Sequence, residues 1–102
     1  MSKLEYRQPP AVGAYWIKEA DYATVLEVFV DGNKMPRSWK EWLKIAEEME
    51  RGLTAYGHVV LRVYIDPNTF PDWCIAHGTS PSSEGRKRFV AAAVTDRYGD
   101  QN

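Results

Sequence analysis

The chain has 102 residues, enough for one hydrophobic core and too few for two. Its composition, 44% hydrophobic and 26% charged, is ordinary for a soluble globular domain, and a net charge of −1 provides no overall positive field to attract nucleic acid or an anionic membrane. The sequence shows no apolar run near the roughly 20 residues of a membrane span, no signal-peptide core, and a single cysteine that excludes an intrachain disulfide. We therefore expect a cytoplasmic protein without a membrane segment.

The first residues are predicted to lie outside the globular domain. Residues 1–11 end in the stiff pair Pro9–Pro10, so we expect an arm that lies on its own domain or reaches a partner subunit. Residues 12–99 should form the single α+β domain, and residues 100–102 should fray. The domain opens with residues 12–18, a short aromatic stretch typical of a strand.

The next segment, residues 21–30, fits two patterns. Apolar residues recur at i, i+3, i+4, i+7 and i+8 from Tyr22, with Asp21 as an N-cap, and this spacing favours a helix. From Leu26 to Val30 apolar residues also alternate and two of them are β-branched, which would suit a strand.

The clearest element is a helix over residues 38–56. Ser38 and Glu41 form a capping box, and Gly57 can end the helix in the left-handed conformation. Eight apolar side chains fall on one broad arc of this helix: Trp39, Trp42, Leu43, Ile45, Ala46, Met49, Leu53 and Tyr56. Glu50 lies at the edge of that arc, either with its carboxylate reaching water or an arginine, or as a partly buried acid with a raised pKa.

Residues 58–65 form a predicted strand, followed by two predicted helices. Asp66–Pro67 is a helix-start signal, with Asn68 or Thr69 as alternatives, and the first helix should end before Gly78. Ser80–Pro81 then predicts a second helix to Gly99. The expected fold is a helix-dominated α+β domain, in the order β-α-α-β-α-α, with a two-stranded or three-stranded sheet whose strands could pair in either sense.

Two stretches carry a family resemblance. DGNKMPRSWKEWLKIAEE (residues 31–48) followed by VYIDPNTFPDWC (residues 63–74) resembles short uncharacterised bacterial proteins, families defined without an assigned function. The resemblance rests on tryptophans, a proline and an Asp–Pro turn, and it implies a bacterial cytoplasmic origin but no activity.

One strand face offers a candidate ligand site. His58, Arg62 and Tyr64 share a face of the strand over residues 58–65, and they combine a titratable ring, a guanidinium fork and a hydroxyl. If that face is open, it is a pocket for a small anion or the site of a weak enzyme, with Glu50 as a further member. If a helix covers it, Arg62 pairs with an acid such as Glu50 and nothing binds.

Two further constellations are weaker. Cys74 and His77 lie at i, i+3 on one predicted helix, but zinc requires three or four ligands and a thiol nucleophile requires an oriented partner, so we expect no metal, cofactor or catalytic residue there. The run Arg86–Lys87–Arg88 spans about 200° of a helix and does not form one basic stripe, so nucleic-acid binding ranks third among the functions considered.

The high aromatic content supports the hypothesis that the domain binds another protein. Aromatic residues make up 13% of the chain, including four tryptophans, and some of that area could remain exposed as a partner surface. We predict an interaction module that forms a homodimer through Trp39, Trp42 and Trp16.

Overall fold

The computed structural model describes residues 11–99. The predicted arm, except Ala11, and the predicted frayed end at residues 100–102 lie outside that range. The helices and strands are β1 (Ala11–Trp16), α1 (Tyr22–Val28), α2 (Trp39–Ala55), β2 (Val59–Tyr64), α3 (Phe70–Ala76) and α4 (Ser83–Tyr98). Two short 3-10 turns, Glu19–Asp21 and Gly32–Lys34, lie before and after α1.

The two strands pair in parallel, and their register runs from Ala11 opposite Val59 to Trp16 opposite Tyr64. The described sheet has these two strands only, with α1 and α2 between them in sequence and α3 and α4 after them. The expected helix-dominated α+β fold is therefore confirmed. The sense of pairing, which the sequence left open, is settled as parallel.

Each face of the sheet is covered by a different helix. On one face Gly13 lies directly under α4, where a Cβ would come within 2.8 Å of the Val90 Cβ. On the other face Trp16 packs edge-on against Trp42 of α2, with ring centroids 5.4 Å apart. The sheet therefore lies between α2 and α4, and the alternation of side chains along β1 places Gly13 and Trp16 on opposite faces.

The segment that fitted two patterns is helical, as the favoured alternative predicted. Helix α1 ends at Val28 because Phe29 adopts an extended conformation (φ −71°, ψ 133°). This break turns the Phe29 ring into the core, where it is 4% exposed, and leaves Val30 66% exposed.

Helix α2 begins and ends where the sequence predicts. The Ser38 hydroxyl accepts a hydrogen bond from the Glu41 backbone N–H and donates one to its carboxylate. At the other end Gly57 has φ 91°, in the left-handed region that glycine occupies without steric cost.

Of the two later helices, the first begins where one of the stated alternatives placed it and the second begins after its expected start. Helix α3 begins at Phe70 with Thr69 as its N-cap residue, and the Asp66 carboxylate accepts from the backbone N–H of Asn68 in the turn that precedes the helix. Helix α4 begins at Ser83 with Ser82 as its N-cap, because the Pro81 carbonyl accepts from the Val30 N–H and holds that residue outside the helix.

The core is a hydrophobic cluster in which five of the nine buried side chains are aromatic. Its buried members are Trp16, Ile17, Tyr22, Val25, Phe29, Trp42, Ile65, Phe70 and Cys74. None of the helices in the described part of the chain combines the length and apolarity that crossing a bilayer requires.

Candidate binding groove

Arg62 and Glu50, predicted neighbours on a candidate ligand face, form a bidentate ion pair. Arg62 Nε lies 2.7 Å from Glu50 Oε2 and Nη2 lies 2.8 Å from Oε1, while the guanidinium stacks 3.9 Å from the Trp16 ring. The hydrogen bond from Arg62 holds the pKa of Glu50 below its usual range, and the same bond raises the pKa of Arg62. Helix α2 thus supplies an acid for Arg62, and the alternative in which Glu50 has a raised pKa is wrong.

The other members of that face do not add a pocket. Tyr64 is 48% exposed, with the Lys18 ammonium 5.7 Å from its ring centroid. His58 lies just before β2, half-buried, and its Nδ1 is enclosed without a hydrogen-bond partner in the described range. The guanidinium fork that would bind an anion is already satisfied by a carboxylate.

The tryptophans are placed mainly inside the domain. Trp16 and Trp42 are 3% and 4% exposed. Trp39 is half-buried, and its indole N–H donates to the Ile17 carbonyl at 2.8 Å. Their predicted role in a dimer interface remains a prediction, since one chain alone does not test it, but little of the area of Trp16 and Trp42 faces solvent.

Cys74 on α3 and His77, the residue directly after α3, have separate environments. Cys74 is fully buried as a free thiol, and burial raises its pKa, so it is a poor nucleophile. His77 is exposed and stacks on Trp73 with ring centroids 3.9 Å apart. Within residues 11–99 no group of three or more potential ligands is placed to hold a metal ion.

The basic run on α4 is divided among three roles. Arg86 is buried and paired with Asp31, Lys87 is exposed, and Arg88 bonds Glu84 and the His77 carbonyl. No continuous basic stripe therefore results from these three residues.

The structure adds a feature that the sequence did not predict, a groove along the outer edge of β1. We call this the β1 groove, a cavity of about 430 Å³. Its floor is β1, its walls are α2 and α4, and its end is the loop after the second 3-10 turn. The lining residues are Val12, Gly13, Ala14, Tyr15, Trp16, Lys34, Met35, Pro36, Trp42, Ile45, Ala46, Met49, Glu50, Leu53, Ser83, Arg86, Lys87 and Val90.

The floor of the β1 groove presents backbone hydrogen-bonding groups. The Trp16 carbonyl accepts from the Ile65 N–H, so Trp16, and by alternation Ala14 and Val12, direct their backbone groups toward β2. The N–H and C=O groups of Gly13 and Tyr15 then point into the groove. Within residues 11–99 we find no hydrogen-bond partner for these outward groups.

The two walls differ in chemistry. The α2 wall is apolar, and two of its residues, Ile45 and Met49, are 54% and 61% exposed although they lie one helical turn apart on the same stripe. The α4 wall carries the exposed Lys87, and Lys34 is exposed at the end loop. The groove can therefore hold an extended segment with apolar side chains on one side and an acidic one on the other.

One sequence signal could have indicated this groove. The apolar arc of α2 is very broad. A sheet of two strands spaced about 4.8 Å apart is too narrow to cover the whole arc. The part of the arc that the sheet leaves uncovered, Ile45 and Met49, is the apolar wall.

Comparison with known proteins gives no relative. No family model, no curated protein and no solved structure matches this chain.

Proposed function

We propose that this domain is a protein-interaction module that forms a homodimer through the β1 groove and the apolar stripe of α2. The observation that carries the proposal is the exposure of Ile45 and Met49, at 54% and 61%, beside an open strand edge. Exposed apolar side chains that adjoin unpaired strand groups are typical of partner surfaces.

A second copy is the partner that this surface fits best. An edge strand with free N–H and C=O groups gains stability from an added strand, and the flanking apolar wall gains from burial. Homodimers with twofold symmetry are the commonest assemblies of small soluble proteins. We also propose a cytoplasmic location, which is supported by the single buried thiol of Cys74.

The anion-binding hypothesis is less well supported by the geometry. An incoming anion would have to displace the Glu50 carboxylate from Arg62, where it makes two hydrogen bonds of 2.7 and 2.8 Å. Nucleic-acid binding is likewise weakened because Arg86 is buried against Asp31.

The test is light scattering on a sizing column over a wide range of protein concentration. We expect a dimer at low micromolar concentration, and we expect Met49→Lys to weaken dimerisation at least tenfold, about 1.4 kcal/mol, because it places a charge in the apolar wall. Thr54→Lys is the matched control, since it adds the same charge to the same helix at an exposed position outside the groove.

Two results would contradict the proposal. A wild-type chain that stays monomeric at all concentrations would remove the homodimer. A dimer weakened equally by Thr54→Lys and Met49→Lys would show an effect of charge rather than of the groove.

A further inference from the structure

The β1 groove changes in character along its length. Near the start of β1, Gly13 lies directly under Val90 of α4, and this end of the groove is apolar. Near the end of the strand, the Arg86 guanidinium lies 5.0 Å from the centroid of the Tyr15 ring. Because Val90 follows Arg86 by about one turn, α4 runs antiparallel to β1 and brings its N-terminal charges to the Tyr15 end. The groove therefore has an apolar end and a basic end.

Two lysines lie at the basic end. Lys87 directly follows Arg86 on α4. Lys34 belongs to the 3-10 turn that follows Asp31, the ion-pair partner of Arg86, and its backbone N–H donates to the Asp31 carbonyl at 2.9 Å. The hydrogen bond from Arg86 lowers the pKa of Asp31, and the nearby charge of Lys34 lowers that pKa further. The ion pair thus brings both lysines to the same end of the groove, where both are exposed.

The positive charge of these two lysines is not balanced by the acids around the groove. Within residues 11–99 neither lysine forms an ion pair. Arg86 is paired with Asp31, and the acid among the lining residues, Glu50, is paired with Arg62. Once these two ion pairs cancel, the charges of the two lysines remain. An anionic group at the basic end would therefore be stabilised electrostatically.

The dimensions of the β1 groove suit a small elongated molecule. Its volume of about 430 Å³ lies within the range of roughly 300–1,000 Å³ that is typical of small-molecule pockets. Such pockets are mostly apolar with a few convergent polar groups, and Ile45, Met49 and Leu53 give this groove an apolar wall. The strand between Val12 and Tyr15 spans roughly 10 Å. A molecule with an apolar body and a negative group at one end would match both ends of the groove.

We infer that the β1 groove binds a small amphipathic carboxylate, with its apolar chain along the α2 wall and its carboxylate at the end that carries Lys34 and Lys87. Burial of the chain supplies most of the affinity, and the two ammonium groups select the charge of the head group. The inference goes beyond the proposed homodimer and does not depend on it. Where both hold, the ligand and a second copy compete, because each covers Ile45 and Met49.

The test is a calorimetric titration with decanoate below its micelle-forming concentration, on protein diluted until the sizing column shows monomer. We expect saturable binding of one decanoate per chain. From hexanoate to octanoate to decanoate, the dissociation constant should fall about tenfold at each step, because each step buries two more methylene groups. Decyltrimethylammonium, which carries the opposite charge on a chain of the same length, should bind at least about fivefold more weakly than decanoate.

Matched lysine variants locate the site. The double variant Lys34→Ala, Lys87→Ala should weaken decanoate binding about fivefold or more, whereas Lys40→Ala, Lys44→Ala removes two exposed lysines outside the groove and should change it by less than about twofold.

Three results would overturn the ligand site and leave the homodimer standing: no saturable binding of decanoate, equal losses in the two double variants, or equally tight binding of decyltrimethylammonium. Conversely, a wild-type chain that is monomeric at every concentration would remove the homodimer, and decanoate binding that depends on Lys34 and Lys87 would still establish the ligand site.

Discussion

Arg86 is a charged side chain buried against aromatic rings. It is 8% exposed, its Nη1 and Nη2 lie 2.9 and 2.8 Å from the two Asp31 carboxylate oxygens, and its guanidinium lies 4.6 Å from the Phe29 ring centroid. Asp31 follows α1, whereas Arg86 is on α4, so this ion pair fixes the packing of two elements that are distant in sequence. Phe29 and the ion pair together occupy the site where α1 meets α4.

Removing the acid from this pair should destabilise the domain strongly. Asp31→Ala leaves a buried guanidinium without its partner, and we expect a loss of about 2 kcal/mol or more in the free energy of unfolding, measured by urea denaturation. Glu84→Ala is the control, because it breaks an exposed pair with Arg88, worth less than about 0.5 kcal/mol. Equal losses for the two variants would contradict the structural role of Arg86.

The two carboxylates that pair with arginines, Asp31 and Glu50, also predict that the stability of the domain depends on pH. Hydrogen bonds from arginines hold the pKa of Asp31 and the pKa of Glu50 below their unfolded values. Near and below pH ~4 the unfolded chain therefore binds more protons than the folded one, so the stability these groups contribute at neutral pH is lost as the pH falls. Melting temperatures from pH 7 to pH 3 should fall less steeply for Asp31→Ala than for the wild type, and parallel curves would show that the carboxylate has an ordinary pKa.

At the scale of elements, the contact between β1 and α4 depends on the absence of a side chain. A Cβ on Gly13 would lie 2.8 Å from the Val90 Cβ and 3.1 Å from a Val94 methyl group, closer than side chains normally approach. The small residue allows α4 to rest directly on the strand. Helix α4 thereby becomes a wall of the β1 groove.

Substituting alanine at two glycines should give effects of opposite sign. Gly13→Ala should destabilise by about 1–3 kcal/mol because α4 must move away from β1. Gly52→Ala should stabilise by roughly 0.5–1 kcal/mol, because Gly52 lies inside α2 with nothing within 4 Å of an added Cβ. Denaturant midpoints measure both, and a neutral Gly13→Ala would show that α4 does not press on the strand as described.

How far the sequence predicts an element depends on whether its signals compete. Ser38, Glu41 and Gly57 give α2 one start and one stop, and its observed bounds agree. The start of α4 was misplaced because Ser80 and Ser82 are both plausible caps. The hydrogen bond from Val30 to the Pro81 carbonyl decides between them, and no local pattern contains that contact.

At the scale of the whole molecule, the fold class was predictable and the candidate site was not. The periodicity of α2 and β2 was sufficient for a helix-dominated α+β domain, and the pairing of Arg62 with Glu50 was one of the stated alternatives. The β1 groove depends instead on the parallel sense of pairing and on which edge of β1 stays open. Both depend on contacts between distant segments, which the sequence pattern leaves undetermined.

The parallel pairing of β1 with β2 also has a kinetic consequence. Every bond of this sheet joins residues separated by nearly half of the chain, as Ala11 opposite Val59 shows, so the intervening loop must close before the sheet can form. During synthesis at roughly 5–20 residues per second, β1 leaves the ribosome several seconds before its partner strand exists.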